Sequence, residues 1–149
     1  MTLRRTFVSI RQRLEAIPLG PIQFAMRVAV GSVFFKAGLL KYSSFEFAIK
    51  LFEEEYKVPV LSPAVAARLA MMNEITWPVF LFLGLATRFA TVPLLIMITV
   101  IQLFVYPQAW TENLLWASIL VFLLTRGAGT WSVDHFLERA FANKENKKM

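Results

Sequence analysis

The chain has 149 residues, room for one domain, and is 57% hydrophobic with 14 Phe, 4 Trp and a mean hydropathy of +0.56. A soluble domain of this size cannot hide that much apolar surface, so the expected solvent is lipid. No cysteine and a single histidine exclude disulfides, thiolate metal sites and a multi-histidine metal or haem centre built by this chain alone, and the net charge of +6 is sorted along the chain rather than gathered into a nucleic-acid patch.

The first segment, "TLRRTFVSIRQRLEAI", has four arginines and lacks the apolar core of a signal peptide. Leu3, Phe7, Ile10, Leu14 and Ile17 fall on one helical stripe, which predicts an amphipathic helix on an anionic membrane surface. A plain cytoplasmic helix is the alternative, and Pro18, Gly20 and Pro21 end either one. Apolar runs then predict membrane spans at about 21–42, 63–86, 89–106 and 110–126. The last is the weakest, because only Leu114 to Thr125 is strongly apolar, a length that alone fits a buried core helix better than a span of ~20 residues.

Charge decides in its favour. With the amino terminus inside, Arg4, Arg5, Arg11, Arg13, Arg88, Arg126, Arg139, Lys144, Lys147 and Lys148 lie on the cytoplasmic side. Only Lys50 and Lys57 lie outside, with Lys41 at a boundary. That is the positive-inside bias of four spans with both termini cytoplasmic, and dropping the fourth span would spoil it.

Between spans one and two, Ser43 and Glu46 have capping-box spacing, and Phe45, Ile49, Phe52 and Tyr56 form a stripe opposite Glu46, Glu53, Glu54 and Glu55. This predicts a short helix lying as a lid across the outer end of the bundle, its acidic run a solvated face or a cation-collecting rim. After span four, Gly127 is placed to end the helix and Ser132 to cap a second interfacial helix. Val133, Phe136, Leu137, Ala140 and Phe141 form that helix's apolar face. The expected organisation is therefore all-α: one membrane domain, 1–143, and a basic tail, 144–149. His135 has no second ligand nearby and Gln102 reads as interhelical glue, so no metal site is expected.

Arg27, Lys36, Arg68 and Glu74 should be costly inside spans, and such residues default to functional candidates with a named partner. Counted from the span ends, Glu74 lies about 16 Å deep and Lys36 and Arg68 about 8 Å, with Arg27 about 20 Å from outside. Glu74 then sits near the midplane, and Arg27 is the favoured partner because a guanidinium grips a carboxylate with two hydrogen bonds. Arg27 and Lys36 face nearly opposite ways, whereas Arg27 and Lys41 share a helix face. Lys41 and Arg68 either snorkel to headgroups or join Lys36 in a positively lined pocket below the lid, suited to an anion or a quinone carbonyl. The Arg27–Glu74 pair is either packing glue or a ligand- or proton-binding site, and Arg27, Lys36, Lys41, Arg68 and Glu74 together form the candidate site.

Three pieces of the chain resemble the DoxX family of small bacterial four-span membrane proteins. They are "RVAVGSVFFKAGLLK" with Arg27, Gly31, Phe34, Phe35, Gly38 and Lys41, then Glu74 with "LGLATRFA", then "GAGTWSVD". Trp77 and Pro78 stand where the family has small glycines; Pro78 frees the Glu74 carbonyl from its helical hydrogen bond. The resemblance implies a four-helix bundle in the bacterial cytoplasmic membrane and a link to thiosulfate:quinone, oxidative-stress or metal-stress systems. The chain has no electron-transfer group of its own, so the expected role is a non-catalytic subunit, or a component binding a quinone or other small ligand, beside a soluble or membrane redox partner. The alternative is a small transporter or permease with Glu74 as its titrating site. An enzyme ranks last, since no nucleophile–base pair is present.

Overall fold

The computed structural model describes residues 2–146. Among these the chain is wholly helical: α1 Thr2–Glu15, α2 Leu19–Ser43, α3 Phe45–Leu51, α4 Pro63–Leu83, α5 Thr87–Val100, α6 Trp110–Arg126 and α7 Val133–Asn146. Two wide π-helical turns, Phe52–Tyr56 and Ile101–Val105, continue α3 and α5.

The ends have local causes. Pro18, extended at φ −64°, stands ahead of α2, and Pro63 opens α4 where its missing N–H costs no hydrogen bond. Gly84 adopts φ 65°, and the hydrogen bonds Gly84 N–H to Leu81 O (3.1 Å) and Leu85 N–H to Phe80 O (3.0 Å) close the end of α4. Gly127 ends α6 as expected, with its N–H on Leu123 O at 2.8 Å. Ser132 caps α7 as expected, accepting the His135 N–H at 3.2 Å. The capping box at Ser43 does not form. Ser43 is still helical, the last residue of α2, and its hydroxyl donates to Leu40 O at 3.0 Å, while Ser44 stands before α3 without a side-chain cap.

α2, α4, α5 and α6 pack in a ring, α2 against α4, α4 against α5, α5 against α6, and α6 back on α2. Val30, Phe34, Leu81, Leu94, Leu120 and Leu123 fill its centre. α3 and its π-turn lie over one end, the lid end, burying Ala48 and Phe52 against Ala66 and Ala67 of α4, so the expected lid stripe is present. α1 and α7 leave the opposite end.

The outward face is apolar: Leu40, Leu69, Met72, Ile96 and Leu115 are all exposed. A bundle with this surface and an internal polar site is built for lipid. Leu19–Ser43 and Thr87–Val105 are long and apolar enough to cross a membrane. α4 and α6 do not meet that measure among the described residues, α4 carrying Arg68 and Glu74, and α6 having only 17 residues. Every described residue from Arg4 to Leu19 is exposed, and Phe136, Leu137 and Phe141 of α7 are exposed too, so both terminal stripes stay unburied by the bundle. α7 runs through Lys144 to Asn146; Lys147 and Lys148 lie outside the described residues.

Candidate functional site

Two glycines set the α2–α4 contact. A Cβ at Gly38 would lie 2.9 Å from Glu74 Cβ and 3.0 Å from its carbonyl carbon, and one at Gly31 would lie 2.7 Å from the Phe82 ring. Only glycine lets the helices approach this closely, and the contact places Glu74 level with Gly38. Lys41, one turn further on, leans back so that its ammonium donates to both carboxylate oxygens, at 2.7 Å and 2.9 Å. The pair is well covered, its side chains 16% and 6% exposed.

Glu74 is therefore paired with Lys41 and not with Arg27. The depth count failed because the two helices are not flush. Eleven residues of α4 stand above Glu74, about 16 Å, but only five of α2 stand above Gly38, about 8 Å. Glu74 consequently lies toward the lid end of α2, not at mid-height, and Arg27 is about 16 Å below it.

The ion pair lies in the wall of a cavity of about 630 Å³ enclosed by α2, α4, α5, α6 and the lid. Its other polar wall groups are Tyr56, Asn73, Tyr106, Glu112 and Asn113; the remainder is aliphatic or aromatic, including Phe52, Met97 and Trp116. A cavity of several hundred Å³, mostly apolar with a few fixed polar groups, has the usual form of a small-molecule site. Both π-turns border it, each closed by an i→i+5 bond, Lys57 N–H to Phe52 O (3.1 Å) and Tyr106 N–H to Ile101 O (2.8 Å). Such turns recur where a helix is widened around a site. They meet as a clasp: the Tyr56 and Tyr106 rings pack edge-on at 5.7 Å, and the Tyr106 hydroxyl donates to Glu55 at 2.7 Å. Burial pushes the Tyr56 phenol above its ordinary pKa, with the Glu55 and Glu74 charges adding to that and the Tyr106 hydrogen bond opposing it.

Gln102 does act between helices. It accepts from the buried Asn113 amide at 2.8 Å and donates to Pro107 O at 2.7 Å, tying α6 to the end of α5. Asn73 reaches from α4 to Pro93 O (3.4 Å) and Met97 Sδ (3.6 Å) of α5. The positively lined pocket is not what forms. Lys36 is exposed on the far side of α2, as its helical angle to Arg27 requires, and Arg68 is exposed with its guanidinium 5.6 Å from the Phe45 ring. Among the described residues Lys41 is the one cation in the cavity wall, against two carboxylates.

Arg27 serves a second polar cluster at the terminus end. It is fully buried, donating through Nη1 to Leu81 O (2.8 Å) and Phe82 O (3.2 Å) and through Nη2 to Trp131 O, with the Phe24 ring 5.4 Å away. It thus satisfies the Phe82 carbonyl left open at the C-terminus of α4 and gives Leu81 O a second donor beside the Gly84 N–H, where a cation also meets the negative end of the helix dipole. Gly84 makes room, since a Cβ there would lie 2.5 Å from Arg27 Nη1. The Asp134 carboxylate accepts from the first N–H groups of α5, Ala86 at 2.7 Å and Thr87 at 3.0 Å, while Gln23 donates to Gly127 O at 3.1 Å. Arg27, Gly84, Gly127, Ser132 and Asp134 therefore build a clamp joining the α4–α5 turn to the start of α7, whereas Gly38, Lys41 and Glu74 build the cavity. Asn113 lies inside the expected span 110–126 without being singled out there; its spacing to Trp116, Leu120 and Leu123 marks it as inward-facing.

The DoxX family model matches residues 22–107, over half of the chain, and includes Arg27, Lys41, Glu74 and Gly84. An uncharacterised protein of Haemophilus influenzae is 25% identical over 142 residues, covering 89% of this chain and 93% of its own. No solved structure matches. The chain, an all-helical membrane protein with an ion pair set in a lidded cavity, belongs to the DoxX family.

Proposed function

We propose that this protein is a non-catalytic component of a membrane redox or stress-response system that holds a small lipophilic ligand, a quinone by its chemistry, in the cavity beneath the lid. The observation that carries the reading is the Lys41–Glu74 pair in the wall of an otherwise mostly apolar cavity of about 630 Å³. A quinone ring is flat and apolar with carbonyl acceptors at its edge. Lys41 supplies a donor for one carbonyl, and Glu74 holds the ammonium in place so that its third N–H remains for the ligand. The chain brings no cysteine and no histidine pair, so electrons would belong to the ligand or to a partner protein.

In this reading α2, α4, α5 and α6 all cross the bacterial cytoplasmic membrane with the lid outside and both termini in the cytoplasm. The arginines of α1, Arg88, Arg126 and Arg139 cluster at the terminus end, which supports that orientation. α1 and α7 lie in the anionic inner surface, covering the stripes the bundle leaves open. A permease built on Glu74 has less behind it, because Lys41 already holds the carboxylate and Phe34, Leu81, Leu94, Leu120 and Leu123 fill the bundle below.

The test is titration of the purified protein with a quinone, followed by quenching of Trp116, with the other three tryptophans replaced by Phe. Saturable quenching that Lys41→Met weakens about tenfold supports the reading, being the loss of one charge-assisted hydrogen bond. No saturable quenching of the wild-type cavity rejects it.

A further inference from the structure

Wall residues of the cavity are exposed at two places, and the two predict different ligands. At the lid end, Tyr106 and Glu112 are wall residues that also reach the exterior, which makes a polar mouth. On the flank, Leu69 of α4 and Ile96 of α5 line the same cavity and are 53% and 61% exposed, far more than the buried wall residues Ala66 and Glu74. This second opening is a frame. Its lower edge is the Asn73 contact to Pro93 O and Met97 Sδ, and its upper edge is the loop carrying Val58 and Leu61, which also border the cavity. Between these edges the α4 side bears only the small Ala66 and Ala70 besides Leu69. Leu69 and Ile96 are also among the exposed apolar residues of the lipid-directed surface.

We propose that this gap between α4 and α5 is a lateral portal, and that the ligand is a single-tailed amphiphile that enters from the bilayer. Its polar head reaches the Lys41–Glu74 pair, and its alkyl or isoprenoid tail leaves past Leu69 and Ile96 into lipid. The inference rests on the ligand-binding reading above and adds to it the route and the tail. A water-borne ligand would have no use for an apolar flank opening, and one ion pair with one exposed apolar stretch of wall matches one head and one tail. The head needs an acceptor for the Lys41 ammonium, and the tail is held only by dispersion and burial, so recognition lies in the head and retention in the tail.

The experiment compares a long-tailed quinone with its tail-less ring in proteoliposomes, using wild-type protein, Leu69→Trp and Ile96→Trp. Both substitutions are at exposed positions, so the bundle itself is not repacked. The expected result is that either tryptophan slows association of the long-tailed quinone by about tenfold or more and leaves the tail-less ring within about twofold, the range over which interface variants change on-rates. Equal slowing of both, or of neither, overturns the portal while the ligand reading stands. If neither quinone binds the wild type, the ligand reading fails and the portal with it. A second measurement does not depend on the tryptophan variants. The chain has no native cysteine, so Ile96→Cys and the exposed Leu83→Cys can each be alkylated alone by a lipid-soluble maleimide. The long-tailed quinone should protect Ile96→Cys and not Leu83→Cys; protection of both or of neither overturns the proposal.

Discussion

Replacing Lys41 with Met tests the central ion pair. The ammonium lies 2.7 Å and 2.9 Å from the two Glu74 oxygens, and the carboxylate it serves is only 6% exposed. Removing the cation strands a buried carboxylate, for which the usual cost is about 3–5 kcal/mol. The cavity beside the pair admits some relief, which favours the lower end, about 3 kcal/mol. Glu74→Gln strands the more exposed partner instead and keeps a polar group, so about 1–2 kcal/mol is expected. The double variant replaces two charges with neutral groups of similar size and should fall within about 1 kcal/mol of wild type, since buried pairs exchanged together are often neutral. The coupling energy is then about 3–5 kcal/mol, well above the roughly 0.5 kcal/mol at which distant sites deviate from additivity. Reversible unfolding of the four proteins in detergent, read by helical circular dichroism, measures it. A coupling below about 0.5 kcal/mol would mean that the pair does not form, and the geometry assigned to the cavity wall would be wrong.

Four further outcomes follow from the same contacts. Arg27→Met should cost about 3–5 kcal/mol in that unfolding assay, because it orphans the carbonyls of Phe82 and Trp131 and leaves Leu81 O with the Gly84 N–H alone, and it should add to Glu74→Gln within about 0.5 kcal/mol. Strong coupling between those two would restore the Arg27–Glu74 pair. Gly38→Ala should destabilise, because overpacking against Glu74 Cβ and Ile75 Cγ1 costs about 1–3 kcal/mol against roughly 1 kcal/mol gained in helix propensity. A stabilised protein would mean that α2 and α4 are not so close. Asp134→Ala should cost about 1–2 kcal/mol by uncapping α5, with Asp134→Asn recovering part of it. Finally, burial raises the Tyr56 phenol, so its contribution to lid stability is complete below its unfolded pKa of about 10 and is lost as pH climbs through the higher folded value. Measured against a freely exposed cysteine at the same pH, so that the thiolate fraction cancels, alkylation of Phe52→Cys should therefore gain only in alkaline buffer, and Tyr56→Phe should reduce that gain.

The long helices were legible because each is an apolar run punctuated by proline or glycine. Leu19–Ser43, Pro63–Leu83, Thr87–Val105 and Trp110–Arg126 end within a few residues of the spans expected from sequence. Helical angle also separated Lys36 from the face shared by Arg27 and Lys41. What a single sequence lacks is the relative height of two helices. Counting depth from the ends assumes that they are level, and the register here is set by Gly31 and Gly38, whose effect is visible only once the partner residues Phe82 and Glu74 are known. The capping box at Ser43 failed for a related reason: Ser43 and Ser44 are chemically alike, and only the chain path shows that α2 claims the first. The π-turns leave no local signature. An extra residue per turn is tolerated when the packing around it is favourable, and that packing involves Tyr56 and Tyr106, fifty residues apart.

The two polar clusters divide the bundle into unlike halves. At the terminus end, Arg27, Gln23 and Asp134 answer backbone groups of three helix ends, and the space between that clamp and Glu74 is filled by Leu81, Leu94, Leu120 and Leu123, all fully buried. At the lid end, packing gives way to the cavity, both α3 and α5 widen into π-turns, and the lid rests on a small cluster, Ala48 and Phe52 on Ala66 and Ala67, with the Tyr56–Tyr106 contact and the exposed Tyr106–Glu55 hydrogen bond clasping it to α5. Regions with fewer buried contacts open at lower free energy than the core they rest on. Motion needed to admit or release a ligand can then be confined to the lid and the upper ends of α4 and α5, without disturbing the clamp. The family match over residues 22–107 spans both parts: Arg27 holds the clamp, while Lys41 and Glu74 at the Gly38 crossing stand in the cavity wall.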